Sequence, residues 1–147
     1  MNFEFSDEQN MLREQAQSFL KAECPPQAVR TVLDGDAAFD QSLWQKVVDM
    51  GWTATVIPEE YDGLGLSYLE LSVIAEELGR CLAPLPFSSS VYLATEAILA
   101  AGTDAQKAAW LPKLASGAVI GCLADSEANG HLTAAKLTTR YAQGAIT

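Results

Sequence analysis

Apolar positions recur along this chain at helical spacing in several separate stretches, each bounded by residues that start or stop a helix. Met11, Leu12, Ala16, Phe19 and Leu20 share one face of a first helix. Ser6 can cap that helix, Gln9 can return the bond as in a capping box, and Pro25-Pro26 ends it. Ala28, Val29, Val32 and Leu33 predict a short second helix reaching the Asp34-Gly35-Asp36 turn. A third starts near Asp40, turns Leu43, Trp44, Val47 and Val48 inward, and meets a left-handed terminator at Gly51. Ser67 and Glu70 form a second capping box, for a helix through Leu71, Ile74, Ala75, Leu78 and Leu82 in which Gly79 marks a close backbone approach. Beyond Pro84 and Pro86 a fifth helix runs from about Ser88 to Ala101 and stops at Gly102. Thr103 and Gln106 make a third capping box for a helix reaching Trp110, and Pro112 restarts a short turn ending at Ser116-Gly117.

Between the third and fourth helices the pattern is different. Residues 51–67 have no helical or strand period, yet they carry Trp52, Val56, Ile57, Tyr61, Leu64 and Leu66. Ordinary surface loops are polar, so a loop this apolar packs on something, with Gly63 and Gly65 turning the backbone where side chains would clash.

After Gly117 the character changes again. Val119 to Asp125 is short, apolar and partly β-branched, and reads as a strand. Asn129-Gly130 is a turn signal, and 132–139 and 141–147 read as further strand material. The expected fold is therefore mainly α: an N-terminal bundle of about six helices, residues 1–117, followed over 118–147 by the first strands of an incomplete β domain. A few strands alone are marginal, so the chain reads as a fragment of a longer protein or an unusual truncated member.

Composition and charge narrow the function classes. Among the 147 residues, 49% are apolar and 19% charged, which is a globular composition able to bury a core. The formal net charge of −10 disfavours nucleic-acid and anionic-membrane binding, which need basic patches. No apolar run approaches the ~18–20 residues of a membrane span. The N-terminus lacks the basic start and apolar core of a signal peptide, so the expected location is cytoplasmic. Cys24, Cys81 and Cys122 form no CxxC pair and have only His131 to join them; free buried thiols are expected, and no metal site.

The order of several motifs carries a family resemblance. Phe5-Ser6-Asp7-Glu8-Gln9 is followed by Gly51-Trp52, by Val56-Ile57-Pro58-Glu59-Glu60-Tyr61-Asp62-Gly63-Leu64-Gly65-Leu66-Ser67, and by Glu76-Glu77-Leu78-Gly79-Arg80. Gly102-Thr103-Asp104-Ala105-Gln106-Lys107 and Trp110-Leu111-Pro112-Lys113-Leu114-Ala115-Ser116-Gly117 complete the series. From Phe3 to about Glu127 the chain resembles the N-terminal half of acyl-CoA dehydrogenases. The resemblance implies an FAD-dependent α,β-dehydrogenation of an acyl-CoA thioester. It also implies an electron-transfer flavoprotein as acceptor and a homo- or hetero-oligomer. The family's general base is a glutamate in its C-terminal domain, so the resemblance assigns no catalytic residue to this chain. Glu59, Glu60, Glu76 and Glu77 read instead as solvated charges.

The resemblance also places site residues. Leu123, Asp125 and Ser126 fall beside the flavin ring, acting largely through backbone groups, and Gly130 and His131 fall where a loop meets flavin phosphate and substrate. Leu85, Phe87, Ser88, Ser89 and Tyr92 fall near the acyl chain, between the fourth and fifth helices. The run departs from the family pattern at Ala128, where proline is usual, and at His131-Leu132, where Ser-Asp is usual. The Arg80 to Pro86 stretch is similar to a bacterial branch acting on steroid or other bulky acyl-CoA, which works as pairs of unlike subunits. The resemblance thus implies a second possibility, a non-catalytic partner subunit with degenerate flavin contacts.

Overall fold

The computed structural model of the chain describes residues 4–124 and 138–146. It is mainly helical, with a two-strand sheet at its C-terminal end. The helices are α1 (Asp7–Glu23), α2 (Pro26–Leu33), α3 (Gln41–Asp49), α4 (Tyr68–Arg80), a π-helix (Ser88–Thr95), α5 (Glu96–Ala101) and α6 (Asp104–Ala115). All three expected capping boxes form, at Ser6/Gln9, Ser67/Glu70 and Thr103/Gln106. Asp40 caps α3 by accepting from the Leu43 amide, and Gly51 follows that helix at φ 76°, a conformation glycine adopts without strain.

Helices α1 and α4 lie side by side and run the same way. Gln9 Nε2 donates to Glu70 Oε1 at 2.8 Å near their starts, and the Cys24 thiol points at the Cys81 carbonyl near their ends. The first bond joins two capping boxes. Hydrogen bonds from Ser67 and Gln9 hold the Glu70 carboxyl down to about 2.

The apolar loop is the centre of the fold. Residues 52–57 are all buried, and their side chains serve two cores. Trp52 and Val56 join Ala16, Leu20, Trp44, Ile74 and Val91 in one cluster; Ala54 and Ile57 join Leu111, Leu114 and Ala115 in the other. Phe19 meets Trp52 edge to face, ring centroids 5.5 Å apart. The loop satisfies its own backbone: Leu64 donates to Ala54, Gly65 to Ile57 and Leu66 to Thr55, all within 2.9 Å. Leu64 and Leu66 themselves are exposed, contrary to the expectation of a wholly packed loop. Their job is backbone closure, although a Leu64 methyl lies 3.1 Å from where a Gly51 Cβ would stand.

Other expectations need correction. Helix α4 stops at Arg80, and Leu82 leaves the helical face at φ 53° and 74% exposed, because Pro84 and Pro86 pull the chain away. A Cβ on Gly79 would meet nothing within 4 Å, so no backbone approaches it. The expected fifth helix is π-helical in its first half, where Thr95 Oγ1 donates back to the Ser90 carbonyl at 2.9 Å. Pro112 sits inside α6, tolerated in its last turns because Leu111, Leu114 and Ala115 continue the buried face. Residues 119–124 form no strand: no neighbouring chain pairs with them among the described residues, and a strand exists only in a ladder. Cys122, on this run, is exposed rather than buried.

The strand expected over 141–147 appears as a hairpin. β1 (Tyr141–Ala142) pairs antiparallel with β2 (Ala145–Ile146), and Gln143 and Gly144 turn at φ 52° and 80°. The strand expected over 132–139 falls largely outside the described residues. Among the described residues no helix is long and apolar enough to cross a membrane.

Candidate functional site

The C-terminal half of α4 and the start of the π-helix enclose a cavity of about 200 Å³. Ala75 and Gly79, four apart on α4, form one wall with Ala83 just beyond the helix, and the open space beside Gly79 is part of the cavity. Four of the five residues assigned to the acyl pocket, Leu85, Phe87, Ser88 and Tyr92, line it. Ser89 does not; its hydroxyl donates to the Pro86 carbonyl at 3.0 Å. Phe87 and Tyr92 meet edge to face at 5.4 Å.

Tyr92 supplies the cavity's polar handle. Burial pushes its phenol up to about 12, so it is neutral and a donor at physiological pH. Its hydroxyl has no hydrogen-bond partner among the described residues. Leu82 stands at the mouth, held out by its left-handed backbone.

The same π-helix holds the run assigned to flavin contact. A Cβ on Gly121 would lie 2.5 Å from Ala94 Cβ, so only glycine lets the chain pass that close. The Gly121 amide donates to Ser90 Oγ at 3.3 Å. Beyond this anchor Leu123 is 43% exposed, and the backbone groups of Cys122, Leu123 and Ala124 make no hydrogen bond among the described residues. Asp125, Ser126, Gly130 and His131 lie outside the described residues.

The carboxylates expected to be solvated divide. Glu59 and Glu60 are exposed. Glu76 is exposed too, and hydrogen bonding to Arg80 lowers its carboxyl from the ordinary value. Glu77 is 3% exposed, against expectation. Gln17 Nε2 donates to it at 3.1 Å, with Arg80 Nε at 3.3 Å and Arg13 Nε at 3.9 Å. These partners come from α1 and α4, so Glu77 ties two helices together.

The sequence places the acyl chain between the fourth and fifth helices but singles out no α4 residue as its wall. Part of the signal was present: Ala75 and Gly79 lie four residues apart on a helix whose buried side otherwise carries Leu71, Val73, Ile74 and Leu78.

Residues 6–118 match the sequence profile of the acyl-CoA dehydrogenase N-terminal domain. The chain belongs to the acyl-CoA dehydrogenase family. That is a family of oxidoreductases. The chain is 36% identical, over 80% of its length and 36% of the relative's, to the acyl-CoA dehydrogenase IpdE2 of Mycobacterium tuberculosis. An acyl-CoA dehydrogenase from Bacillus anthracis solved in complex with FAD superimposes with a TM-score of 0.80 at 27% identity, covering 92% of this chain and 23% of that one. A chain of the ChsE4-ChsE5 complex from Mycobacterium tuberculosis superimposes with a TM-score of 0.74 at 29% identity, covering 82% of this chain and 33% of that one. The chain spans about a quarter to a third of the length of the curated relatives it matches.

Proposed function

We propose that this chain supplies the helical part of an FAD-dependent dehydrogenation of an acyl-CoA thioester, and that the cavity behind Tyr92 receives the end of the acyl chain. The observation that carries the reading is the double use of the π-helix. Ser88 and Tyr92 line the apolar cavity, while Ser90 and Ala94 hold Gly121 at the head of the run assigned to flavin contact. At about 200 Å³ the cavity is smaller than the ~300–1,000 Å³ of whole-ligand sites, so it suits an acyl tail and not a complete thioester.

The amides and carbonyls of residues 122–124, unbonded among the described residues and beside half-exposed Leu123, fit the hydrogen-bonding edge of a flavin ring. FAD, when bound, would accept the hydride removed from the acyl β-carbon. This chain's own residues would position: the cavity orients the tail, and the Gly121 anchor fixes the run beside it. No residue here is assigned as the base. In this reading residues 1–117 are the helical domain and 118–147 open the β domain.

Purified chain titrated with a fatty acyl-CoA and with free CoA tests the cavity. Acyl-CoA should bind more tightly than CoA, and Gly79→Leu, which fills the space beside α4, should remove the difference. Equal affinity for both ligands in the unsubstituted chain would sink the reading.

A second reading is a partner subunit with weakened flavin contacts. It is favoured by Ala128 and His131-Leu132 in the flavin-contact run and by the likeness to a two-component complex. Flavin absorbance that appears only in a complex with a related subunit would select it; flavin bound by this chain without such a partner would exclude it.

A further inference from the structure

A second cavity, apart from the one behind Tyr92, belongs to neither reading. It measures about 690 Å³ and lies where the C-terminal ends of α1 and α4 meet the flank of α2. Its floor is apolar: Leu20 and Cys24 are buried, Val29 nearly so, and Leu33 and Leu82 stand exposed at its edge. Burial pushes the Cys24 thiol up to about 12, so the floor carries no charge at neutral pH.

The rim is unlike the rest of the surface. In a chain of nine basic and nineteen acidic residues, Lys21, Arg30 and Arg80 line this cavity and Asp34 is its single acid. Arg80 is engaged with Glu76 and Glu77. Lys21 and Arg30 make no ion pair among the described residues. An apolar hollow of ligand size with two unpaired cations at its mouth is complementary to one chemistry.

We propose that this cavity binds an anionic amphiphile, an alkyl chain ending in a carboxylate or phosphate, with the chain over Leu20, Val29 and Leu82 and the head between Lys21 and Arg30. Leu82 also borders the acyl cavity, and it is the one residue that lines both, so the two sites are neighbours with separate floors.

The test uses methyl-labelled chain titrated with dodecanoate, dodecyl phosphate and dodecyltrimethylammonium. At least one anion should saturate, shifting the methyls of Leu20, Val29, Leu33 and Leu82 and leaving Leu85 unmoved; the tighter anion assigns the head group. Lys21→Glu with Arg30→Glu should weaken it about tenfold, since exposed charges contribute modestly and reversal makes them repel. Both positions are exposed, so the fold should survive, and circular dichroism checks it. No saturable shift with either anion overturns the proposal. So does equal binding of the cation, or unchanged affinity in the double variant. A concentration-dependent dimer abolished by Leu33→Glu would instead make a second copy the occupant, and would also overturn it.

Discussion

Two irregular segments of this chain are both apolar and glycine-containing, and they end in opposite states. Residues 51–66 are folded into the middle of the molecule, with 52–57 buried and the backbone bonded to itself. Residues 118–124 and the 141–146 hairpin lie on the surface, with Leu123, Tyr141 and Ile146 exposed. The difference is the presence of a surface to pack on. The first segment has one within the described chain, between α3, α6 and the α1–α4 pair. The second touches the helices through Val119 and Gly121, and beyond Gly121 the backbone of residues 122–124 has no partner among the described residues. An apolar sequence states that burial is wanted, and it does not state against what.

The comparison can be broken most forcefully at Gly63. A Cβ there would fall 1.8 Å from the Ile57 carbonyl oxygen, so Gly63→Ala must open the loop. We expect a loss of about 3 kcal/mol in urea unfolding, because backbone cannot yield as a side-chain tip can. Gly144→Ala, where only the φ of 80° resists a side chain and nothing lies within 4 Å, should leave the main transition almost unmoved.

A smaller effect is expected where the loop is tied to α6. Thr53 Oγ1 donates to the Ala115 carbonyl at 2.7 Å in a buried setting. Thr53→Val should cost about 1–2 kcal/mol, read from the same denaturant curve, since it leaves that buried carbonyl short of a donor. Gly79→Ala should act in the other direction, gaining about 0.5–1 kcal/mol of helix stability, because the added methyl meets no neighbour.

Acid titration sharpens the same contrast at the level of caps. Glu70 is held down to about 2 in the folded chain, below the ~4.3 of a free glutamate. Between those values the unfolded chain binds more protons, so its contribution is full above about pH 4.3 and is lost as pH falls toward 2. Glu70→Gln should flatten the stability curve in that window. An unchanged acid limb would show that the link between the two caps carries no weight. The smallest effect is expected at the hairpin surface, where Ile146→Ser should change stability by less than about 0.5 kcal/mol.

Much of the helical part was legible because its signals are local. Each capping box needs two residues three apart, and each inner face needs a repeat that sequence displays directly. The acyl-pocket residues were half legible: Leu85, Phe87, Ser88 and Tyr92 converge on the cavity, whereas Ser89 turns away to bond Pro86. The π-helical register from Ser88 to Thr95 decides which of neighbouring serines faces inward, and that register has no simple signature. Glu77 was misread for a related reason. On sequence it is one of two adjacent glutamates, and only the approach of Arg13 and Gln17 from α1 makes it a buried anchor while Glu76 stays in water.

The sequence by itself determined where helices start and stop, that residues 51–67 must be packed, and which family the motif order resembles. These follow from capping chemistry, periodicity and polarity, which act over a few residues. Tertiary structure alone decided that the loop feeds two cores, that small residues on α4 open a cavity, and that the apolar run after Gly117 pairs with no strand among the described residues. It also gathered Lys21, Arg30 and Leu82, distant in sequence, around one hollow. Those outcomes depend on which surfaces meet, and a local pattern carries no information about a partner sixty residues away.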